Sequence, residues 1–225
     1  MPGLENAVSE RVRVRRHPER GGYEPAVIRQ ILDEAYICHV GLVAGGHPLV
    51  LPTVHVRVDD RVYLHGAAAN AMFAAAVGRE VCVTATIIDG LVMARAVYDH
   101  SMNYRSVVVL GIAEDVTEPA EKRMALRELV EHVVRGRSQD AREASDSELA
   151  ATRVLRVPIT EASANVRVGP PKDAGEDLSL PVWAGVVPLR LAAGDPQPDA
   201  LMLEGIPLPD YLRPAAVTSR GGGPP

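Results

Sequence analysis

The densest group of polar side chains in the sequence, His100-Ser-Met-Asn-Tyr-Arg-Ser106, lies immediately before the apolar run Val107–Leu110. Polar groups gathered where a strand begins are typical of a ligand site, because a guanidinium binds oxyanions through two parallel hydrogen bonds and a phenol can hydrogen-bond a substrate. The alternative is structural: the small polar side chains satisfy a turn, and the large ones cover the mouth of a barrel. The candidate binding residues in this cluster are Ser101, Asn103, Tyr104, Arg105 and Ser106.

A second candidate site lies where a predicted strand ends at His65-Gly66 and a helix begins near Asn70. The first backbone N–H groups of a helix have no partner within it, so they can bind a phosphate. Imidazole titrates near neutral pH, which makes His65 a candidate proton donor, and Tyr104 is the second candidate catalytic residue. The alternative is that Gly66 turns the chain, Asn70 caps the helix and His65 forms a structural hydrogen bond.

Several motifs that carry other chemistry are missing. The sequence has no Gly-x-Gly-x-x-Gly after a strand, no Gly-Lys-Ser/Thr phosphate loop, no His-Glu-x-x-His and no Gly-x-Ser-x-Gly. This argues against Rossmann, nucleotide-hydrolase, zinc-protease and serine-hydrolase activities. Cys38 and Cys82 lie in apolar runs without clustered His or Cys, so we interpret them as buried hydrophobic residues and predict no metal site.

Length and composition are those of an ordinary globular protein. The 225 residues are 47% hydrophobic and 24% charged, with a formal net charge of −5. The longest apolar runs, Leu49–Val56 and Val81–Ile88, are too short to span a membrane. Lys and Arg are not dense enough to favour nucleic acid or an anionic membrane as a partner, and the first residues lack the apolar core of a secretory signal. We therefore expect a cytoplasmic protein with a small-molecule substrate.

The elements that must position these residues are mostly strands. Runs rich in Val, Ile, Thr and Leu, separated by Gly45-Gly46, Asp59-Asp60 and Asp89-Gly90, are typical of successive antiparallel hairpins. An amphipathic helix over Glu24–Ala35 precedes them, and a helix of small residues interrupts them at Asn70–Val77. The predicted strands are Ile37–Ala44, Leu49–Val58, Val62–Gly66, Val81–Ile88, Leu91–Tyr98 and Arg105–Val116.

The second half of the chain begins with a predicted helix. Thr117-Glu118-Pro119 is typical of a cap followed by an early proline, and the residues after it form one apolar and one charged face. A second short helix is predicted near Ser147–Ala151, followed by strands at Arg153–Ile159 and Ala164–Val168. We expect the longer helix to pack on the sheet through its apolar face.

Six to eight short strands with few helices favour a mainly β (α+β) fold. We expect an antiparallel β-barrel that is closed or nearly closed, with peripheral helices, because closure removes the sticky edges of a sheet. Three regions are predicted: a charged N-terminal arm at residues 1–20, the barrel domain at 21–212 and a flexible tail at 213–225.

Several short strings occur together in a characteristic order: Arg20-Gly-Gly-Tyr23, Ile28–Ala35, Cys38-His-Val-Gly41, Leu51-Pro-Thr-Val-His55, Tyr63-Leu-His-Gly66, Asp89-Gly90, His100-Ser-Met-Asn-Tyr-Arg-Ser-Val107 and Trp183-Ala-Gly-Val-Val-Pro-Leu189. With this order and spacing, the sequence resembles the pyridoxamine 5′-phosphate oxidase-like flavin-binding proteins, specifically the branch of nitroimidazole-resistance proteins. The resemblance extends from about Arg15 to Tyr211. It implies an antiparallel split β-barrel that forms a homodimer, with FMN in a groove between the two subunits.

The resemblance also implies how the site is assembled. The edge of the flavin ring would meet the backbone of Pro52, Thr53 and Val54, and the phosphate would lie near the helix that begins at Asn70. The ring or the ribityl chain would be bordered by His65, Gly66 and Ala67, and the site would be completed by Ser101, Asn103, Tyr104, Arg105 and Ser106.

The sequence departs from the family where the phosphate is held. Relatives usually have a basic residue just after Tyr-x-His-Gly, but here Ala67-Ala-Ala-Asn-Ala-Met72 follows, with no Lys or Arg before Arg79. Asn165 likewise stands where a lysine is expected. Loss of one charge-assisted contact to a phosphate costs about 1.5–3 kcal/mol, or roughly one to two decades of affinity. The sequence therefore predicts that FMN binding is weak, that it depends on Arg105 and helix N–H groups, or that it is lost.

Three hypotheses follow for the function. The first is an FMN-dependent oxidoreductase that passes electrons to a small organic acceptor such as a nitro-aromatic compound. The second is a member that has abandoned flavin and is a haem-binding or cofactor-free biosynthetic enzyme. The third is a non-catalytic dimer that binds a small molecule. For haem, the candidate axial ligands are His39, His55, His65 and His100.

Overall fold

The computed structural model describes residue 7 and residues 9–214. Residues 215–225 of the predicted tail, and residues 1–6 and 8 of the predicted arm, lie outside the described part. In that part, ten strands form the body of the protein: β1 (Gly21–Gly22), β2 (Ile37–Ala44), β3 (His47–Val58), β4 (Arg61–Ala67), β5 (Glu80–Met93), β6 (Ser101–Ile112), β7 (Glu114–Asp115), β8 (Thr152–Pro158), β9 (Glu161–Arg167) and β10 (Gly185–Pro188).

The helices begin where the local sequence satisfies or removes free N–H groups. Proline opens two of them, at Pro25 and Pro119, where its missing N–H costs nothing. Ser145 forms a capping box with Glu148 in front of another. The α-helices are α1 (Pro25–Glu34), α2 (Ala71–Ala76), α3 (Pro119–Val133) and α4 (Asp146–Ala151).

The strands form one sheet in the order β1-β9-β6-β5-β2-β3-β4-β8-β7, with β10 paired to β5. The end strands β1 and β7 do not pair with each other, so the sheet is not closed. Strand β3 joins the two halves: residues 47–54 pair with β2, and the pairing with β4 begins at His55. The predicted split barrel with peripheral helices is confirmed, although the barrel is open rather than closed.

The hydrophobic core lies in two places. Inward side chains of the strands pack around α1 and α2, with Ile31, Leu32 and Phe73 almost fully buried. On the outer face of the other half, α3 packs through Leu129 against Tyr63 and neighbouring residues.

The described part of the predicted arm contacts the barrel. Val12 is buried, and Arg11 donates to the Glu80 carboxylate at 2.6 Å. Val14 N donates to the Tyr23 hydroxyl at 2.9 Å. These contacts fix the direction in which the chain enters β1.

Two predictions about strands are wrong. Asp89-Gly90 is not a hairpin turn: β5 runs on to Met93, and its register against β6 shifts between Ile88 and Gly90, which marks a β-bulge. The separate strand predicted at Leu91–Tyr98 is absent, because its first residues belong to β5 and Val97–Asp99 form a 3₁₀ turn. Pairing with β6 on both sides of the bulge keeps the chain extended where the local signal favours a turn.

Candidate functional site

The segment predicted to meet a flavin ring, Pro52–Val54, lies on the first half of β3. This half pairs with β2 along one edge, and no strand in the described part of the chain pairs with the other edge of residues 47–54. Pro48 and Pro52 suit such an edge, because proline has no N–H to contribute to a ladder. Backbone groups on this edge are therefore free to hydrogen-bond a planar heterocycle.

His65, Gly66 and Ala67 form the end of β4. His65 is half-buried, and its Nδ1 is buried without a hydrogen-bond partner among the described residues. Burial lowers the pKa of His65, so the imidazole is mostly neutral at neutral pH. Gly66 lies against the Phe73 ring, where a Cβ would come within 3.0 Å of Cε2. This contact accounts for the glycine without a ligand.

Asn70 caps α2, as in the structural alternative. Its Oδ1 accepts hydrogen bonds from Met72 N at 2.9 Å and from Phe73 N at 3.3 Å. Both amides belong to the group that the sequence suggested for phosphate binding, and α2 has only six residues. The start of α2 thus has little to offer a phosphate, and a binding role for Asn70 stays a prediction.

Arg105 faces the inside of the barrel, since alternate residues of β6 face opposite sides of the sheet. Its Nε and Nη2 donate to the Asp89 carboxylate at 3.0 and 2.9 Å, and its Nη1 donates to Glu34 at 2.5 Å. The hydrogen bonds with Asp89, and after them those with Glu34, raise the pKa of Arg105. The guanidinium that we expected to bind an oxyanion is thus already paired with two carboxylates of its own chain.

The polar residues next to Arg105 on β6 face the other way, toward Asn165 of β9. The Tyr104 hydroxyl donates to Asn165 Oδ1 at 3.2 Å, and Ser106 Oγ donates to the Asn165 carbonyl at 3.3 Å. Asn103 is buried. The position at which a lysine was expected therefore belongs to a row of neutral polar groups on the outward side of the sheet.

One copy of the chain does not bring the two predicted groups together. The strands that carry His65 and Ser101 are separated in the sheet by β3, β2 and β5. Two cavities of about 1390 and 580 Å³ lie along α3, and no predicted site residue lines either of them. The outward side of β2, β3, β5 and β6, by contrast, exposes large apolar side chains: Ile37, Val43, Val50, Ile88, Met102 and Ile112.

The histidines considered as haem ligands differ in what holds their rings. His55 is fully buried, with Nε2 2.9 Å from the Leu32 carbonyl, and burial lowers its pKa to about 4. His39 is exposed on β2. His100 is exposed, and its Nδ1 lies 2.9 Å from the Ala96 carbonyl, which leaves Nε2 for a ligand. Within the described ranges, no three His, Cys, Asp or Glu residues are grouped as a metal site requires.

Sequence reasoning missed the partners of Arg105. No sequence signal gave its orientation, because Val107–Leu110 are all apolar, and the inward position of Arg105 shows only in the burial of alternate residues of β6. Nothing in the sequence indicates which carboxylates pair with it, because Glu34 comes from α1 and Asp89 from the bulge of β5.

An open antiparallel barrel whose third strand is divided between its halves defines the protein as a split β-barrel. Residues 24–166 match the family described as pyridoxamine 5′-phosphate oxidase, and the chain belongs to this family. A comparison with curated protein sequences gives no match. No helix in the described part of the chain is long and apolar enough to cross a membrane.

Solved structures that are similar to the chain include the following three. The flavocytochrome Anf3 from Azotobacter vinelandii is 39% identical with a TM-score of 0.86, over 92% of this chain and 96% of that one. The FAD and haem binding protein from Mycobacterium smegmatis is 32% identical with a TM-score of 0.82, over 86% and 96% of the two chains. A proposed 5-nitroimidazole antibiotic resistance protein from Bacteroides thetaiotaomicron is 25% identical with a TM-score of 0.54, over 65% and 86%.

Proposed function

We propose that the protein is a flavin-dependent oxidoreductase that also carries haem, acts on a small organic acceptor and works as a homodimer. The observation that carries this proposal is the likeness, at 39% and 32% identity over most of the chain, to a flavocytochrome and to a protein that binds FAD and haem. The open edge of β3 and the available Nε2 of His100 are the features of this chain that fit the two cofactors.

Backbone groups on the open edge of β3 would hold the flavin. At residues other than Pro48 and Pro52, this edge presents both backbone donors and acceptors, which suits the hydrogen-bonding edge of an isoalloxazine ring and fixes its orientation. When bound, the flavin supplies the electron transfer, and the chain supplies position and electrostatics. FMN, expected from the sequence, and FAD, bound by the M. smegmatis relative, share this ring, so the edge suits both.

His65 and Tyr104 are the proposed catalytic residues. Burial lowers the pKa of His65, so its imidazole is neutral at neutral pH. It therefore binds the electron-accepting substrate through a hydrogen bond rather than acting as a strong acid. The hydrogen bond from Tyr104 to Asn165 already orients the phenol on the outward side of the sheet. His65 can donate its ring N–H to an oxygen atom of a nitro-aromatic acceptor, the class of substrate we propose, and Tyr104 can do the same once its hydroxyl turns away from Asn165.

Haem would be held through His100. Because a carbonyl can only accept, the contact with Ala96 places the proton on Nδ1 and leaves the lone pair of Nε2 for iron. Val97 and Tyr98, just before this histidine, are 92% and 93% exposed, and Met102 just after it is 47% exposed. Such apolar surface beside a free imidazole suits a flat macrocycle. His55 does not fit, since its ring is enclosed and its Nε2 is engaged.

We propose that a second copy of the chain packs against the outward side of β2, β3, β5 and β6 and covers it. Large apolar side chains grouped on one face are typical of an interface. A groove between two such faces would place the β4 end of one copy, with His65, opposite the β6 residues of the other. This arrangement would unite the two groups of predicted site residues that one copy holds apart.

The absorption spectrum of freshly purified protein tests the cofactor proposal, and we expect flavin bands together with a Soret band. Added FMN and FAD should each lose fluorescence on binding, which also shows which of the two is preferred. His100→Ala should remove the Soret band and leave flavin binding intact, whereas His17→Ala, at an exposed residue outside the strands, should change neither. No flavin quenching at tens of micromolar would refute the flavin proposal, and a Soret band that survives His100→Ala would refute the ligand. Turnover of nitro-aromatics with NAD(P)H separates an enzyme from a non-catalytic binding dimer.

A further inference from the structure

Two arginines, Arg167 and Arg20, lie close together at one end of the sheet, and neither forms an ion pair with a carboxylate of the described residues. Arg167 ends β9 and is buried, with 7% of its surface exposed. Arg20 immediately precedes β1, which pairs with β9 through Gly21 and Asn165, and it is half-buried. Among the described residues, no carboxylate forms an ion pair with either guanidinium, and none contributes to the pKa of Arg167. Within the described part of the chain, the two positive charges of this cluster therefore have no ion-paired carboxylate.

Asn103 holds the Arg167 guanidinium in place. The Asn103 Oδ1 accepts a hydrogen bond from Arg167 Nη1, and its Nδ2 donates to the Gly169 carbonyl at 3.2 Å. The second bond fixes the amide with its oxygen toward the guanidinium. Tyr104 is the cross-strand neighbour of Arg167, and its hydroxyl is bonded to Asn165. The groups around Arg167 are thus fixed, polar and neutral or positive.

Arg105, on the neighbouring strand, shows how this fold neutralises a buried guanidinium. Arg105 is paired with the carboxylates of Asp89 and Glu34, and the hydrogen bonds with these two groups raise its pKa. Arg167 is equally buried, but burial and then the charge of Arg20 lower its pKa. A buried charge without a partner is strongly unfavourable, and a second cation beside it adds repulsion. Unlike Arg105, Arg167 thus has no counter-charge within the described part of the chain.

Two carboxylates that are close to these arginines along the chain are already engaged. Glu19 precedes Arg20 but is exposed, and it lies 3.1 Å from His17 Nδ1. Asp173, the first acidic residue after Arg167, accepts hydrogen bonds at 2.7 Å from both the backbone N and the Nη1 of Arg95. Neither can turn to Arg167 without losing these bonds.

We propose that Arg167 and Arg20 bind an oxyanion group, a phosphate or a carboxylate, of a bound small molecule, with Asn103 as a positioning residue. The inference rests on the proposed function only for the source of that group, since a flavin phosphate and a haem propionate both carry it. The site lies at the end of β9, where Arg167 is the cross-strand neighbour of Tyr104. It would supply the positive charge that the sequence lacks after His65-Gly66.

Thermal unfolding with inorganic phosphate as the probe tests the site without any cofactor. In the wild type, phosphate should raise the unfolding midpoint in a saturable manner, beyond chloride at equal ionic strength. Arg167→Gln should abolish this rise, because glutamine keeps a donor for Asn103 but has no charge. Without phosphate the variant should unfold at the same or a higher temperature than the wild type, since repulsion from Arg20 is removed. Arg29→Gln, at an exposed arginine paired with Asp60, is the matched control and should keep the full response.

No saturable rise in the wild type, or an undiminished rise in Arg167→Gln, would overturn the inference. If Arg167→Gln does not fold, Arg20→Gln at the half-buried position serves as the second variant, and there too an undiminished response would overturn it. A third result would also overturn the inference: Arg167→Gln dissociates the dimer, and the wild type shows no phosphate response. A carboxylate of the second copy would then be the counter-charge.

Paired ligands identify the source of the oxyanion. If the flavin phosphate binds here, the preference for FMN over riboflavin should fall by about tenfold to a hundredfold in Arg167→Gln. If a haem propionate binds here, the preference for haem over its dimethyl ester should fall instead. A phosphate response that requires Arg167, in a protein that binds neither flavin nor haem, would support the oxyanion site while refuting the proposed function.

Discussion

Arg105→Met should destabilise the fold strongly, because Arg105 joins the end of α1 to the bulge of β5. The side chain of Arg105 is 8% exposed, and those of Glu34 and Asp89 are each 13% exposed. The substitution leaves two nearly buried carboxylates without a cation. Breaking a buried ion pair in this way costs about 3–5 kcal/mol. For a chain of this size, that corresponds to a decrease of roughly 6–20 °C in the unfolding midpoint.

Urea unfolding at one fixed protein concentration measures the loss, since the stability of an oligomer depends on concentration. Arg57→Met is a matched control: Arg57 also binds one carboxylate with two hydrogen bonds, to Asp33 at 2.7 and 2.7 Å, but at a more exposed site. It should cost at most about 1 kcal/mol. Adding Glu34→Gln and Asp89→Asn to Arg105→Met should recover most of the lost stability, because no unpaired charge remains.

A loss below about 1 kcal/mol in Arg105→Met would refute this reasoning, since it would place the trio in the range of surface ion pairs. The neutral triple variant also tests the role that the sequence suggested for Arg105. If its guanidinium binds a flavin phosphate, the folded triple variant will lose flavin affinity. If the contacts with Glu34 and Asp89 are its whole role, flavin affinity will stay unchanged.

Three further predictions concern single residues. Burial, and then the charge of His132, lowers the pKa of His55 from 6.5 to about 4, so on acidification the unfolded chain takes up the proton first. The free energy of unfolding is therefore highest above about pH 6.5 and decreases by up to about 3 kcal/mol toward pH 4. His55→Phe should flatten this part of the pH dependence, as measured by urea unfolding. Asn70→Ala should cost about 1 kcal/mol as a lost cap, and a loss of flavin affinity at unchanged fold would instead reveal a cofactor contact. Gly111→Ala should lower the free energy of unfolding by about 1–3 kcal/mol, because the added Cβ would lie 2.9 Å from Val157 Cγ1. An unchanged unfolding midpoint would contradict this.

The sequence predicted the strands best where the pattern is local. Strand β2 has the predicted bounds, Ile37–Ala44, because both its alternation and the following Gly45-Gly46 turn lie within one short segment. Asp89-Gly90 is an equally strong hairpin signal, yet the chain stays extended there. The reason is tertiary: β6 pairs on both sides of the bulge, and Arg105, sixteen positions further along the chain, binds the Asp89 carboxylate. A prediction rule that uses only neighbouring residues cannot identify such a distant partner.

The strand segments that form the candidate site could be predicted from the sequence, but the ion pairing of its charged side chains could not. The sequence identified Pro52–Val54, and the structure places this segment on an open strand edge. It also identified Arg105, but the pairing of that guanidinium depends on a helix and a bulge elsewhere in the chain. Arg167 is notable only because no carboxylate of the described residues pairs with it, which no motif can express. Burial without a counter-charge is a property of the folded surroundings, so only coordinates reveal it.

If the flavin groove lies between two copies, flavin affinity and dimerisation must be coupled, because a ligand that binds only the dimer stabilises it. Ile112→Asp places a charge on the outward side at the far end of β6, away from the open edge of β3, at a residue that is 47% exposed. It should weaken the dimer and flavin binding together, and flavin affinity should fall further as the protein is diluted. Val133→Asp, at a residue 42% exposed on α3, should affect neither. A monomeric Ile112→Asp that binds flavin as tightly as the wild type would mean that one copy holds the complete site, and the open edge of β3 would then have to suffice without a second chain.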